Sequence, residues 1–247
     1  MARRPSAFIL QKRRKPWKIS QSAVAHSFQK NWRIEVKHQY PLIYRKLYGH
    51  YGPQNWWPAD TPFEMMIGAI LVQNTSWRNV EKAINRLKPF LEPRKLDDLP
   101  EEKIAELIRP SGYYNIKARR IRSFLSWFKT YAYDLDRIKE REKAALREEL
   151  LNVKGIGPET ADAILVYAFE KPVFIVDAYA RRIFHRIGYD MPQSYDRFQR
   201  QVEAQFPPDA KIFNEFHALL AEHGKTHCRT VPLCGGCPLA DICQKRK

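Results

Sequence analysis

The sequence predicts an all-α fold, and three observations carry that prediction. Apolar residues recur at helical spacing through most of the chain, runs that would make a sheet are scarce, and the sharpest turn, Gly155-Ile156-Gly157, falls between two helical patterns. With 247 residues, 44% of them hydrophobic, the chain is long enough to bury a core as one large domain or two closely packed ones.

Taken in order, Thr61-Pro62 supplies an N-cap residue and an N1 proline, and so predicts a helix from Pro62 to Val72. A second is expected from Trp77 to Leu87, where Val80, Ala83, Ile84 and Leu87 fall on one face. The stretches Leu96 to Ile108, Ile116 to Tyr131 and Glu140 to Leu151 show the same spacing, and Val173 to Val176 is the best short extended piece. In the run from Leu151 to Ala161, Gly155 and Gly157 permit a tight turn and close backbone approach, and Pro158 opens the next helix without wasting an N–H donor. That arrangement leaves amides at a helix N-terminus, a site for one phosphate, although an ordinary connector between helices has the same local pattern.

Charge points to a polyanionic partner. Forty-three Lys and Arg face 27 Asp and Glu, a net +16, and basic groups gain free energy by displacing counterions condensed on phosphates. Residues 1–34 hold nine of the basic residues and no acidic one, leaving 34 against 27, or +7, for the rest. This basic segment, with Lys12-Arg13-Arg14-Lys15, reads most simply as a solvated tail, with a phosphate-binding arm and a transit segment as the alternatives. No apolar stretch approaches the ~18 residues of a membrane span, and no secretory core follows the basic start. A soluble intracellular protein, cytoplasmic or nucleoid-associated, is expected.

All four cysteines lie in the last twenty residues: Cys228, Cys234, Cys237 and Cys243, spaced C-x5-C-x2-C-x5-C. Four thiols in one short loop read as a metal site ahead of two disulfides. Zinc and a [4Fe–4S] cluster both accept four cysteines, so spacing leaves the two open.

The run from Leu151 to Arg182 resembles the helix-hairpin-helix motif of the endonuclease III superfamily, with its following loop and aspartate. The cysteines resemble that superfamily's [4Fe–4S] loop, with five residues between Cys228 and Cys234 where the common form has six. The resemblance implies an endonuclease III-like fold of two helical parts and a DNA glycosylase acting as a monomer on damaged double-stranded DNA. The parts are expected at residues 55–170, a six-helix domain with the hairpin, and at 35–54 plus 171–247, a helical domain with the cluster. Bifunctional members carry a lysine two residues beyond the second hairpin glycine, which attacks the sugar as an imine-forming nucleophile; this chain has Glu159 there. Lys154 precedes the first glycine and is not its replacement.

A closer resemblance is to the 3-methyladenine branch of that superfamily. It runs through Trp56-Trp57-Pro58, Phe63-Glu64, Gly68 to Thr75, Arg109 to Asn115, and Lys154 to Leu165, and that branch also has glutamate at the position of Glu159. It implies a monofunctional enzyme that flips an alkylated purine and hydrolyses its glycosidic bond with an aspartate-assisted water, Asp177 being that aspartate. Trp56, Trp57, Trp77 and Glu159 would line the base pocket. Gln73 would fill the vacated space, Tyr113 would wedge the opposite strand, and Gly155, Ile156 and Gly157 would hold a phosphate. Each residue also has a plainer reading: Asp177 as the N-cap of a helix from Ala178, Gln73 as a loop amide, Tyr113 as a core aromatic. Lys117, Arg119, Arg120 and Arg122 offer a basic face for phosphates or merely a solvated one. Since the best-known member of the branch lacks the cluster loop, this chain looks like a cluster-bearing relative. The rival readings are an oxidised-pyrimidine glycosylase with lyase activity and a non-catalytic DNA-binding module.

Overall fold

The computed structural model describes residues 39–245, which fall in one compact unit; the basic segment 1–34 lies outside them. Twelve α-helices follow one another among the described residues, with no strand. The first, α1 (Tyr40–Tyr51), buries Tyr40, Ile43, Tyr44 and Leu47, an i, i+3, i+4, i+7 stripe, and packs on the last helix of the chain. Helix α2 (Pro62–Leu71) starts as expected: the Thr61 hydroxyl accepts from the Glu64 amide at 3.0 Å. Every residue from Phe63 to Leu71 is buried, so α2 is a central helix with no solvent face. Helix α3 (Trp77–Leu87) buries the four apolar residues that its spacing singled out.

The expected helix from Leu96 to Ile108 is two: α4 (Pro93–Asp97) and α5 (Glu101–Leu107). Pro100 divides them, because its ring excludes the helical carbonyl four residues back and holds the preceding residue away from helical angles. Helix α6 (Tyr114–Thr130) matches its prediction with two more residues at its start. A short α7 (Leu135–Lys139), capped by the Asp134 carboxylate, has no counterpart in the sequence reading, since one turn and a half is too little for a period to show. Helix α8 (Lys143–Asn152) begins three residues later than expected, where Glu142 accepts from the amides of Ala144 and Ala145. The hairpin leads into α9 (Pro158–Tyr167), followed by α10 (Ala178–Ile187), α11 (Tyr195–Glu203) and α12 (Ala210–Thr226).

Val173 to Val176 is buried and free of helix, as expected of an extended piece, but it pairs with no strand. Side chains take the part of a neighbouring strand. The Phe174 amide donates to Glu203, the Phe174 carbonyl accepts from Gln199, and the Val176 amide donates to the Tyr195 hydroxyl. Around this segment Phe174, Phe184, Phe198 and Phe216 pack with ring centroids 5.6–6.2 Å apart, an arrangement dominated by edge contacts. Beneath it Asp162 of α9, with no exposed surface, receives Arg147 of α8 at 2.7 Å and Gln199 of α11 at 2.6 Å. Helix α9 thus touches α2, α8 and α12, and the segment after it carries the chain to Asp177.

Candidate active site

Asp177 is the N-cap of α10, and its Oδ1 accepts from the Ala180 amide at 2.7 Å. The capping role is therefore real, and it occupies one carboxylate oxygen. The other, Oδ2, stands 3.6 Å from Nε2 of His217 on α12. His217 Nδ1 is 2.6 Å from the hydroxyl of Tyr167, the last residue of α9. Burial, then the charges of Asp177 and Glu215, hold the Tyr167 hydroxyl far above the ordinary tyrosine range, so it keeps its proton. That hydroxyl lies 3.4 Å from the Asn214 carbonyl, a weaker contact than the one to His217. With the tyrosine proton donated to Nδ1, the imidazole N–H sits on Nε2 and faces the carboxylate.

An aromatic wall adjoins this row. Tyr167 meets Trp57 edge to face at 5.1 Å, Trp57 meets Trp77 at 5.3 Å and Trp56 at 5.9 Å, and Trp56 meets His217 at 6.0 Å. The three tryptophans predicted for the pocket are thus brought together beside Asp177. Trp57 Nε1 is buried without a hydrogen-bond partner, and the Lys225 ammonium lies 4.6 Å over the Trp56 ring. Glu159, in the first turn of α9, is open to solvent; the surrounding protein and then Asp177 raise its carboxyl, with His217 opposing. Its field and that of Asp177 overlap. Tyr167 and His217 were missed from the sequence, where His217 shows only as a polar residue within the apolar stripe of α12 beside Phe213 and Phe216.

The hairpin residues divide by role. Gly155 has φ +90°, and a Cβ there would collide with the stem of Arg120, so glycine is needed for both conformation and space. Gly157 has φ −93° and open space where a Cβ would point; what it offers is room for an approaching group, not a special turn. Ile156 contributes to the interior instead of the surface. Its side chain is buried and its amide closes a turn on the Val153 carbonyl. Tyr113 is not the core aromatic of the plainer reading: it is 67% exposed, with left-handed backbone at the start of α6. Gln73 is held, its amide nitrogen donating to the Gly155 carbonyl and to Thr160 Oγ1, and its oxygen receiving Arg120.

The expected basic face on α6 is corrected by these contacts. Lys117 is buried and bonded to backbone carbonyls, Arg120 is engaged with Gln73, and Arg122 donates to the Asp97 carbonyl at 2.6 Å. A helix packed against α2, α4 and α5 has only one outward stripe, and of these four residues Arg119 alone is exposed.

No disulfide joins the four cysteines, and Cys228 and Cys243 lie against α10. Arg182 donates to the Cys228 carbonyl at 2.8 Å, Arg186 donates to the carbonyls of Arg229 and Thr230, and the Cys243 thiol lies 3.2 Å from the Arg186 carbonyl. Burial, then Cys243, Cys234 and Cys228, raise the Cys237 thiol, so the four sulfurs lie in one another's field. No three His, Cys, Asp or Glu side chains among the described residues close on a single ion. The same helix that starts at Asp177 thus anchors the cysteine loop, and a groove of about 800 Å³ lined by Tyr179, Arg182, Arg229, Val231 and Leu233 runs between them. None of the helices described is long and apolar enough to cross a membrane.

Comparison with known proteins agrees with this architecture. Residues 67–208 match the family described as HhH-GPD superfamily base excision DNA repair protein. A provisionally named DNA repair glycosylase of Methanocaldococcus jannaschii is 45% identical over 206 residues, covering 81% of this chain and 94% of its own. Endonuclease III of Thermotoga maritima is 30% identical over 199 residues, 78% of this chain and 86% of that one. Among solved structures, H. pylori 3-methyladenine DNA glycosylase bound to 1,N6-ethenoadenine superposes with a TM-score of 0.66 at 30% identity, covering 74% of this chain and 96% of that one. A non-covalent endonuclease III–DNA complex, at 23% identity, shares the fold with a TM-score of 0.72 over 86% of this chain and 97% of that one. With more than half of its length matched by the family, the chain belongs to the HhH-GPD superfamily of base excision DNA repair proteins and is, by that membership, a helix-hairpin-helix DNA glycosylase.

Proposed function

We propose that this glycosylase is monofunctional and removes alkylated purines of the 3-methyladenine type from double-stranded DNA, working as a monomer. The observation that carries the reading is the company Asp177 keeps: an aromatic wall and a glutamate, with no amine at the position from which a hairpin lysine would attack. Alkylation at a ring nitrogen makes the base a cation and a good leaving group, so the protein has mainly to recognise it. Indole faces attract a flat cation by about 0.5–2 kcal/mol each, and the Lys225 ammonium lies 4.6 Å over the Trp56 ring.

In this reading the parts 55–170 and 35–54 with 171–247 flank the flipped nucleotide. Oδ2 of Asp177, the oxygen not spent on the cap, opposes the positive charge that develops on the sugar and orients the attacking water. His217, held by Tyr167, presents an N–H to the same oxygen and keeps the carboxylate turned. Glu159 adds no nucleophile, because a carboxylate forms no imine. Gly155 and Gly157 admit a phosphate between the hairpin and α9, and Gln73 and Tyr113 fill and wedge the duplex.

The four cysteines suit a [4Fe–4S] cluster better than zinc. What supports the cluster is the order and spacing of the cysteines, which resemble the superfamily's [4Fe–4S] loop, together with the mutual influence of the four sulfurs at Cys237. A cluster would act structurally, tying the final loop to α10. Isolated protein should be brown, with about four irons per chain; colourless protein with one zinc would overturn this.

The substrate is tested with duplexes carrying 3-methyladenine, 7-methylguanine, an oxidised pyrimidine or 8-oxoguanine, each assayed with and without alkali and with borohydride. Strand breaks on the methylated duplexes only after alkali, with nothing trapped, are expected. Borohydride trapping on the oxidised pyrimidine would favour the lyase reading, and binding without excision on all four the non-catalytic one.

A further inference from the structure

A lysine with 1% of its surface exposed has to find partners for its ammonium inside the protein. Lys117 finds two backbone carbonyls in two different turns, Leu71 O at 2.8 Å and Ser111 O at 2.7 Å. Leu71 ends α2 two residues before Gln73, and Ser111 stands two residues before Tyr113. One turn further along α6, Arg120 donates to Gln73 Oε1, and its stem fills the space above Gly155. Gln73 in turn donates to the Gly155 carbonyl at 3.2 Å. Two residues of one helix therefore bind together the turn after α2, the turn before α6 and the hairpin, which are distant in sequence and share no element.

Packing alone does not explain the lysine. Its amine is pushed down to about 8, first by burial and second by Arg120, whereas a methionine would fill the same space without any such penalty. What methionine lacks is the pair of donors. We propose that Lys117 is a positioning residue that holds the carbonyls of Leu71 and Ser111 together, and so sets Gln73 and Tyr113 in one register from which both enter the duplex as the base leaves it. The proposal rests on the reading of Gln73 and Tyr113 as the residues that fill and wedge the DNA. Two side chains ordered beforehand lose less freedom on insertion than two on independent loops.

The test uses the full chain and a duplex with 7-methylguanine paired to cytosine, flanked by 2-aminopurine, whose fluorescence rises on unstacking. A second duplex places the same lesion opposite an abasic gap, where little pairing has to be broken. For Lys117→Met we expect a loss of about tenfold or more in the rate of the fluorescence rise and of single-turnover excision on the paired duplex, and of under about threefold on the gapped one. Equal losses on both duplexes, or no loss on the paired one, would overturn the proposal. Gln73→Ala and Tyr113→Ala serve as references: if both show the pair-dependent loss and Lys117→Met does not, the proposal fails alone. If neither shows it, the reading of Gln73 and Tyr113 fails and the proposal with it. Lys117→Gln, which keeps donors on a shorter stem, should recover part of the paired rate and stands in should Lys117→Met not fold; failure of both to fold would assign the lysine to the fold itself and overturn its positioning role.

Discussion

At the scale of the residue, the two carboxylates of the site should respond differently to conversion to amides. Asp177→Asn keeps an oxygen to cap α10 through the Ala180 amide, so folding should survive, but it removes the charge that opposes the sugar cation. Single-turnover excision should fall by roughly a hundredfold or more, with lesion binding preserved; a rate close to wild type would leave Asp177 as a cap only. Although Glu159 keeps contact with solvent, which screens the effect, the protein around its carboxyl and then Asp177 hold it above its ordinary 4.5. A raised folded value means that its contribution to stability is fully present below the unfolded value and is lost as pH climbs through the folded one. Glu159→Gln, which never acquires the charge, should therefore melt above wild type at pH 7, and the gap should close as pH falls toward 4.5. A melting series from acid to neutral that shows a constant difference would contradict this.

At the scale of the element, the hairpin glycines are not equivalent. A Cβ at Gly155 meets Arg120 and a positive φ, so Gly155→Ala should cost about 1–3 kcal/mol of stability and weaken binding to damaged and undamaged duplexes alike. Gly157 has neither obstacle, and Gly157→Ala should cost about 1 kcal/mol or less in folding, while still weakening DNA binding if a phosphate comes close there. Chemical melts paired with binding isotherms separate the two effects. Helix α2, by its Thr-Pro start, and α3, by its stripe, were legible in the sequence to within a residue. The break at Pro100 and the whole of α7 were not, because a proline at a helix start and one inside a helix look alike until the flanking turns are known. Among the residues gathered around Asp177, the tryptophans and Glu159 had been named by resemblance. Tyr167 and His217 have no motif: they matter through a contact fifty residues apart in the chain, which no local pattern encodes.

At the scale of the molecule, the buried ion pair between Arg147 and Asp162 joins α8, α9 and α11 below the segment that delivers Asp177. Asp162 is raised by desolvation against the pull of Arg147 and Gln199, which means that its charge depends on those partners. Arg147→Met would strand it, at about 3–5 kcal/mol, whereas the double change Arg147→Met with Asp162→Leu should recover much of the loss. Non-recovery in a double-mutant cycle would show that the pair's remaining partners, Gln199 and Asp196, carry more than the ion pair itself. Net charge told only that a polyanion was expected; which basic groups stay free to meet it emerged from the packing, since α6 spends Lys117, Arg120 and Arg122 internally.

The segment Val173 to Val176 has a consequence for how the site breathes. Its amides are tied to the side chains of Glu203 and Tyr195, not to a neighbouring backbone, so each tie is separately removable by a single substitution. In hydrogen–deuterium exchange the Phe174 and Val176 amides should be as slow as those of a sheet interior. Tyr195→Phe should speed exchange at Val176 and leave Phe174 slow, and Glu203→Gln, whose amide oxygen still accepts, should leave both nearly unchanged. If Phe174 and Val176 instead accelerate together, the segment opens as one piece, and the carboxylate of Asp177 next to it moves whenever it does.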